Sequence, residues 1–87
     1  MIRVHIPSPL FSYTGGKAEA GAEGGTLGAV LADLDGQFPG MRFRIVDEQD
    51  RIRPHIRIYT NERWVFDLGE PVASDGEVHI IAALSGG

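Results

Sequence analysis

The sequence predicts an α+β fold, a mixed sheet of four or five strands with one main helix packed on one face. Three observations carry this. Ile2-Arg3-Val4-His5-Ile6 and Ile56-Arg57-Ile58-Tyr59-Thr60 both alternate, the period of a strand with one buried face. Leu27, Val30, Leu31, Leu34 and Phe38 fall on a single stripe at helical spacing. Turn-forming clusters rich in Gly, Pro, Ser and Asp separate these stretches.

In chain order, the first strand ends at Pro7 and Pro9, and Ser12-Tyr13-Thr14-Gly15-Gly16 reads as a turn. Lys17 to Ala22 is a second strand, returning along the first as a hairpin. After the turn Glu23-Gly24-Gly25, Thr26 is the helix N-cap, its hydroxyl available to an orphan backbone N–H. Asp33, Asp35 and Gln37 lie off the apolar stripe, and Pro39-Gly40 stops the helix. Met41 to Val46 reads as a short helical turn and Asp47 to Asp50 as a polar turn. Asn61-Glu62 joins the strand 56–60 to Trp64-Val65-Phe66 as a second hairpin. Ser74-Asp75-Gly76 turns into the last strand, Val78-His79-Ile80-Ile81-Ala82. A hairpin, a crossing helix, then strands with the last beside the first is the β-grasp arrangement. The first and last strands lie parallel at the centre, a pairing that needs such a crossover.

Eighty-seven residues make one domain, 1–87, with a flexible tail at 83–87. A chain of this size buries about 60–65% of its unfolded surface, which leaves little room for a deep enclosed active site. Eight Lys and Arg against twelve Asp and Glu give a net charge of −4. That balance argues against nucleic acid, whose phosphates need clustered cations, and weakly favours a basic partner. Without cysteine the chain has no disulfide, no thiol nucleophile and no Cys-based zinc site. Met1-Ile2-Arg3-Val4 shows no signal peptide and no run is long enough to span a membrane, so a cytoplasmic location is expected.

The outward positions Arg3, His5, Arg57, Tyr59, His79 and Ile81 share the sheet face away from the helix and form a candidate partner surface, since Tyr and Arg are enriched in interfaces. His5 and His79 are expected to face one another, but no third ligand is evident, so no metal site is expected. Trp64 and Phe66 read as core or rim filling. Gly15-Gly16 and Gly24-Gly25 lack the context of a phosphate loop and read as turns. Arg51-Ile52-Arg53 reads as a solvated edge. The last strand leads into Ala83-Leu84-Ser85-Gly86-Gly87. Glycine loses the most backbone freedom on ordering, so a Gly-Gly end suits no packed core. It suits threading a narrow channel and presenting a bare carboxylate to an enzyme.

Five short stretches resemble the ubiquitin-like sulfur carriers of the MoaD/ThiS type. They are Thr14-Gly15-Gly16, Gly25-Thr26-Leu27-Gly28-Ala29-Val30 with Asp33-Leu34, Ile58-Tyr59-Thr60-Asn61, Asp75-Gly76-Glu77-Val78, and Gly86-Gly87. The match runs nearly the whole chain and is nearest to the cysteine-biosynthesis sulfur carriers. One departure is visible: Ala82-Ala83 stand where family members often carry a proline.

The resemblance implies a carrier rather than an enzyme. It implies that a ubiquitin-activating-type enzyme adenylates the Gly87 carboxylate with ATP, the carrier itself binding no cofactor. A sulfur donor then displaces AMP and leaves a thiocarboxylate, which delivers sulfide inside a sulfur-accepting biosynthetic enzyme. A metalloprotease that releases the product is a further implied partner of the cysteine branch; nucleic acid and membrane are not partners. Gly86 and Gly87 carry the chemistry, while Ala83, Leu84 and Ser85 join the partner-binding residues. Molybdopterin, thiamine and secondary-metabolite synthesis use the same carrier design. The other open readings are a protein modifier joined through Gly87 to lysines and a plain interaction module.

Overall fold

The computed structural model describes residues 1–82. Among them, five strands form one sheet: β1 (Ile2–His5), β2 (Glu19–Ala22), β3 (Ile56–Thr60), β4 (Arg63–Val65) and β5 (Glu77–Ala82). Their spatial order is β2-β1-β5-β3-β4. β1 runs parallel to β5, and the remaining neighbours pair antiparallel. This is the β-grasp order that the sequence predicts, with β5 in the middle and the chain leaving it toward residue 83. The flexible tail expected at 83–87 lies outside the described residues.

Three helices join the strands: α1 (Phe11–Thr14), α2 (Leu27–Gln37) and α3 (Met41–Ile45). In α2 the predicted stripe is buried: Leu27, Val30, Leu31 and Leu34 are fully covered, and Phe38 is partly so. They share one core with Ile2, Val4, Ile58, Val78 and Ile80, the inward positions of the three central strands. Each such side chain contributes about 1.5–3 kcal/mol by leaving water. The cap also forms as predicted, with Thr26 extended and its Oγ1 accepting from the Ala29 N–H at 3.2 Å. Replacing it, Thr26→Ala, should lower stability by about 1 kcal/mol in a denaturant titration. The next two orphan donors of the helix find partners in the loop before β5. The Leu27 N–H donates to the Glu70 carbonyl and the Gly28 N–H to the Leu68 carbonyl, both at 2.8 Å. A Cβ on Gly28 would lie 3.3 Å from that Leu68 oxygen, so glycine admits the loop.

Residues 12–16 differ from the expected turn. Ser8–Leu10 form a 3-10 turn that buries Leu10, and α1 follows as one helical turn. Gly15, at φ +68°, ends it in the left-handed region that glycine enters without a Cβ clash. Thr14 is buried, with its hydroxyl donating to the Lys17 carbonyl at 2.8 Å. A single turn of helix has no room for an apolar periodicity, so the pattern left no trace of it. α3 matches the predicted helical turn at 41–46, and β4 lies one residue earlier than the expected Trp64–Phe66, running from Arg63 to Val65.

Between β3 and β4, Asn61 and Glu62 both take positive φ, 54° and 63°, as a two-residue hairpin of the type I′ class requires. Asn61 Nδ2 donates to Glu70 Oε2 at 2.9 Å and to the Pro71 carbonyl at 2.8 Å. Arg63 Nη2 lies 2.7 Å from both Glu70 oxygens. These bonds, Arg63 first, hold the Glu70 carboxyl below the usual glutamate range. In the turn before residue 51, the Asp47 carboxylate accepts from the backbone N–H of Arg51 and Gln49, which lowers its pKa as well.

A depressed folded-state pKa contributes stability above the unfolded value, and that contribution disappears as pH falls through the folded value. The thermal midpoint should therefore drop below about pH 4.3, the ordinary glutamate value. Glu70→Gln should lower the midpoint at neutral pH and flatten the acid-side fall, as read by melts across a pH series. Among the described residues no helix is long and apolar enough to cross a membrane.

Candidate functional site

Strand alternation sends Ile2, Val4, Ile56, Ile58, Val78 and Ile80 into the core and leaves their neighbours on the opposite, open face. Pairing then sets those neighbours side by side. His5 is opposite Glu19 on one side and His79 on the other. His79 is opposite Tyr59, and Tyr59 is opposite Trp64. One row thus crosses the whole sheet: Glu19, His5, His79, Tyr59, Trp64. The His5 and His79 rings stack at 4.2 Å with an interplanar angle of 3°. Tyr59 meets His79 edge-on at 6.3 Å and Trp64 edge-on at 5.3 Å. The row above holds Arg3 opposite Glu77, and the row below holds Arg57 opposite Ile81. All six sheet residues predicted for the open face are on it.

The structure adds members that sequence reasoning did not place there. Trp64 is 51% exposed and Phe66 71%, so neither fills the core. The reason is the hairpin register: Val65 takes the inward position of the edge strand, which turns Trp64 outward onto Tyr59. Glu77 is the other addition. It precedes His79 by two positions on β5 and so shares its face. Its Oε1 is 2.7 Å from His5 Nε2 and 3.9 Å from His79 Nε2. The His5 hydrogen bond, joined by the charges of Arg3 and His79, lowers the Glu77 pKa. Glu77 therefore adds a third side chain with a donor atom where the sequence showed two, and the donor atoms of His5, Glu77 and His79 lie within 4.8 Å of one another. The signal that would have found it is the strand period itself, since i and i+2 lie on one face.

At the end of β5, Ala82 pairs with Ile56. Beside it opens a groove of about 270 Å³ bordered by Leu10, Phe43, Arg44, Arg53 and Ala82. Arg53 Nε donates to the Phe43 carbonyl at 2.7 Å, and its guanidinium lies 4.5 Å from the Phe43 ring centre. Arg44 Nε donates to the Tyr13 hydroxyl at 2.8 Å. The two cations are thus fixed at the root of the C-terminal segment. Sequence reasoning took Arg53 for a solvated edge and did not single out Arg44, because only the tertiary fold brings residues 10, 43, 53 and 82 together. The predicted tail residues Ala83, Leu84, Ser85, Gly86 and Gly87 lie outside the described residues.

No protein-family model matches the sequence. The chain is 34% identical to the sulfur carrier protein CysO of Mycobacterium tuberculosis over 91 residues, covering 99% of this chain and 98% of the relative. The crystal structure of M. tuberculosis CysO superposes with a TM-score of 0.90 at 31% identity, over 97% of this chain and all of the other. A chain of the Amycolatopsis orientalis BexX/CysO complex superposes with a TM-score of 0.91 at 28% identity, over the full length of both. SAMP1 of Haloferax volcanii, with a TM-score of 0.76 at 24% identity over 99% and 98% of the two chains, shares the fold. Sequence, strand order and near end-to-end coverage agree: the chain belongs to the family of the sulfur carrier protein CysO.

Proposed function

We propose that this chain is a cosubstrate of partner enzymes, carrying sulfide on Gly87 for cysteine biosynthesis. The observation that supports it is the 34% identity to a sulfur carrier protein across nearly the whole of both chains, in a sequence whose last residues are Gly86-Gly87. A carboxylate is a poor electrophile, because its charge repels nucleophiles and its oxygen leaves badly. An activating enzyme removes both obstacles: a Gly87 carboxylate oxygen attacks the α-phosphorus of ATP, and pyrophosphate departs. A sulfur donor then attacks the acyl carbon, AMP departs, and a thiocarboxylate remains. That anion is nucleophilic at neutral pH: inside a sulfur-accepting enzyme its sulfur attacks a carbon of the acceptor and displaces the acceptor's leaving group, and a metalloprotease then hydrolyses the bond that joins the product to the carrier.

The carrier supplies address and reach, and its partners supply the positioning and electrostatics. Reach comes from residues 83–87, five residues that can span at most about 18 Å. Address comes from the open face, where Tyr59, Trp64 and Ile81 offer apolar contact and Arg3 and Arg57 offer charge. Incubation with the activating enzyme and ATP should release pyrophosphate in proportion to the chain added. Release that is independent of the chain would refute the proposal.

A further inference from the structure

The open face carries a cluster to which the chemistry at Gly87 assigns no role. His5 and His79 come from the two parallel central strands, opposite one another in register, and Glu77 stands two residues before His79 on the same face. The backbone beneath them is fixed by the sheet, with Val4 and Val78 packed in the core between them. His5 is the least exposed of the three side chains at 29%, and His79 and Glu77 open to solvent at 43% and 51%.

We propose that His5, Glu77 and His79 form a three-ligand site for a divalent zinc-class ion. Two imidazole nitrogens and one carboxylate oxygen are a donor set that zinc accepts, with water or another group in the fourth position. Tetrahedral bonds of about 2.0–2.1 Å place ligand atoms about 3.3 Å apart. The present separations bracket that value, 2.7 Å for His5 to Glu77 and 3.9 Å for His79 to Glu77. Stacked rings direct their nitrogen lone pairs in parallel, so loading the ion requires each ring to turn about its last torsion. That torsion is broad for histidine. The hydrogen bond between His5 and Glu77 occupies the place the ion would take.

Glu19 completes the design. Its Oε2 lies 3.9 Å from His5 Nδ1, on the ring edge away from Glu77. Drawn from there into hydrogen-bond distance, a carboxylate behind a ligating imidazole would fix its orientation and raise its basicity. Arg3 Nε, 3.5 Å from Glu19, holds that carboxylate in turn. The ion would sit in the aromatic row between Tyr59 and Glu19, adding two positive charges to the docking face and leaving an open position that a partner's side chain can fill. The docking consequence rests on the function proposed above, whereas ion binding is a property of this chain alone, so the two can fail separately.

Calorimetric titration of the tag-free full-length chain with zinc chloride tests the site. One equivalent should bind, and His5→Ala and His79→Ala should each weaken binding at least about tenfold, given that loss of an outer-shell partner alone costs 10–100-fold. Glu19→Gln should weaken it less than either. His55→Ala, the remaining histidine, should leave it unchanged. Amide NMR spectra confirm that each variant is folded, and the His5 and His79 ring signals should shift on loading. Absence of saturable binding, or affinity that survives the combined loss of His5 and His79, would overturn the proposal.

Discussion

Deleting Gly87 should abolish carrier activity while leaving the fold intact. Gly87 lies five residues beyond Ala82, the last residue of β5, and among the described residues the last sheet pair on that strand is Ile56–Ala82. The core contacts described for residues 1–82 do not involve Gly87, and the melting curve should match that of the full chain within error. What is lost is the position of the acyl carbon. A residue in an extended chain spans about 3.3–3.6 Å, and displacement of a reacting atom by even about 1 Å can cost a hundredfold. Pyrophosphate release and sulfur delivery should fall below detection together. Retained activity would show that the Gly-Gly end is incidental, and a collapsed melting curve would show that the C-terminal segment is part of the fold.

Reversing the character of Ile81 should weaken partner docking more than any other single change on the open face. Ile81 is 42% exposed on the central strand, opposite Arg57 and next to the row formed by His79, Tyr59 and Trp64. An apolar side chain at the centre of a docking patch, rimmed by charge, fits the profile of residues that carry most of an interface's energy. Ile81→Asp should raise the dissociation constant for the activating enzyme about thirtyfold or more, the equivalent of about 2 kcal/mol. Ala32→Ser, on the exposed side of α2 across the sheet from this face, should leave it unchanged. Equal affinity of both variants, measured by calorimetry, would move the docking surface off this face.

Periodicity carried most of the fold, because a strand or helix that packs on one side must repeat its apolar residues at its own pitch. The alternation at 2–6 and 56–60 and the stripe from Leu27 to Phe38 are of this kind, and Thr26 marks its helix by local chemistry. The open face followed directly, since residues that alternate with a buried set must point the other way. Short or tertiary features were illegible for matching reasons. α1 is one turn long, too brief to show a period. Trp64 reads as core or rim until the hairpin register gives the inward position to Val65. Arg44 and Arg53 are ordinary surface cations until α3 and the segment before β3 are folded against the end of β5. Glu77 was legible in principle, as the i−2 neighbour of His79, but becomes informative only once β1 is known to lie parallel to β5.

The charges on the open face bear on how partners are chosen. Despite a net charge of −4, the face combines Arg3 and Arg57 with Glu19 and Glu77, so complementarity there is local rather than a matter of overall sign. A partner matched to this pattern gains mainly in association rate and discrimination.

The most direct measurement is the intact mass of the full-length chain after incubation with its activating enzyme, ATP and a sulfide source. The expected result is a gain equal to the exchange of one oxygen for one sulfur, located on Gly87 by fragmentation and absent without ATP. An unchanged mass, or a gain located on any other residue, would contradict sulfur carriage at the C-terminal carboxylate.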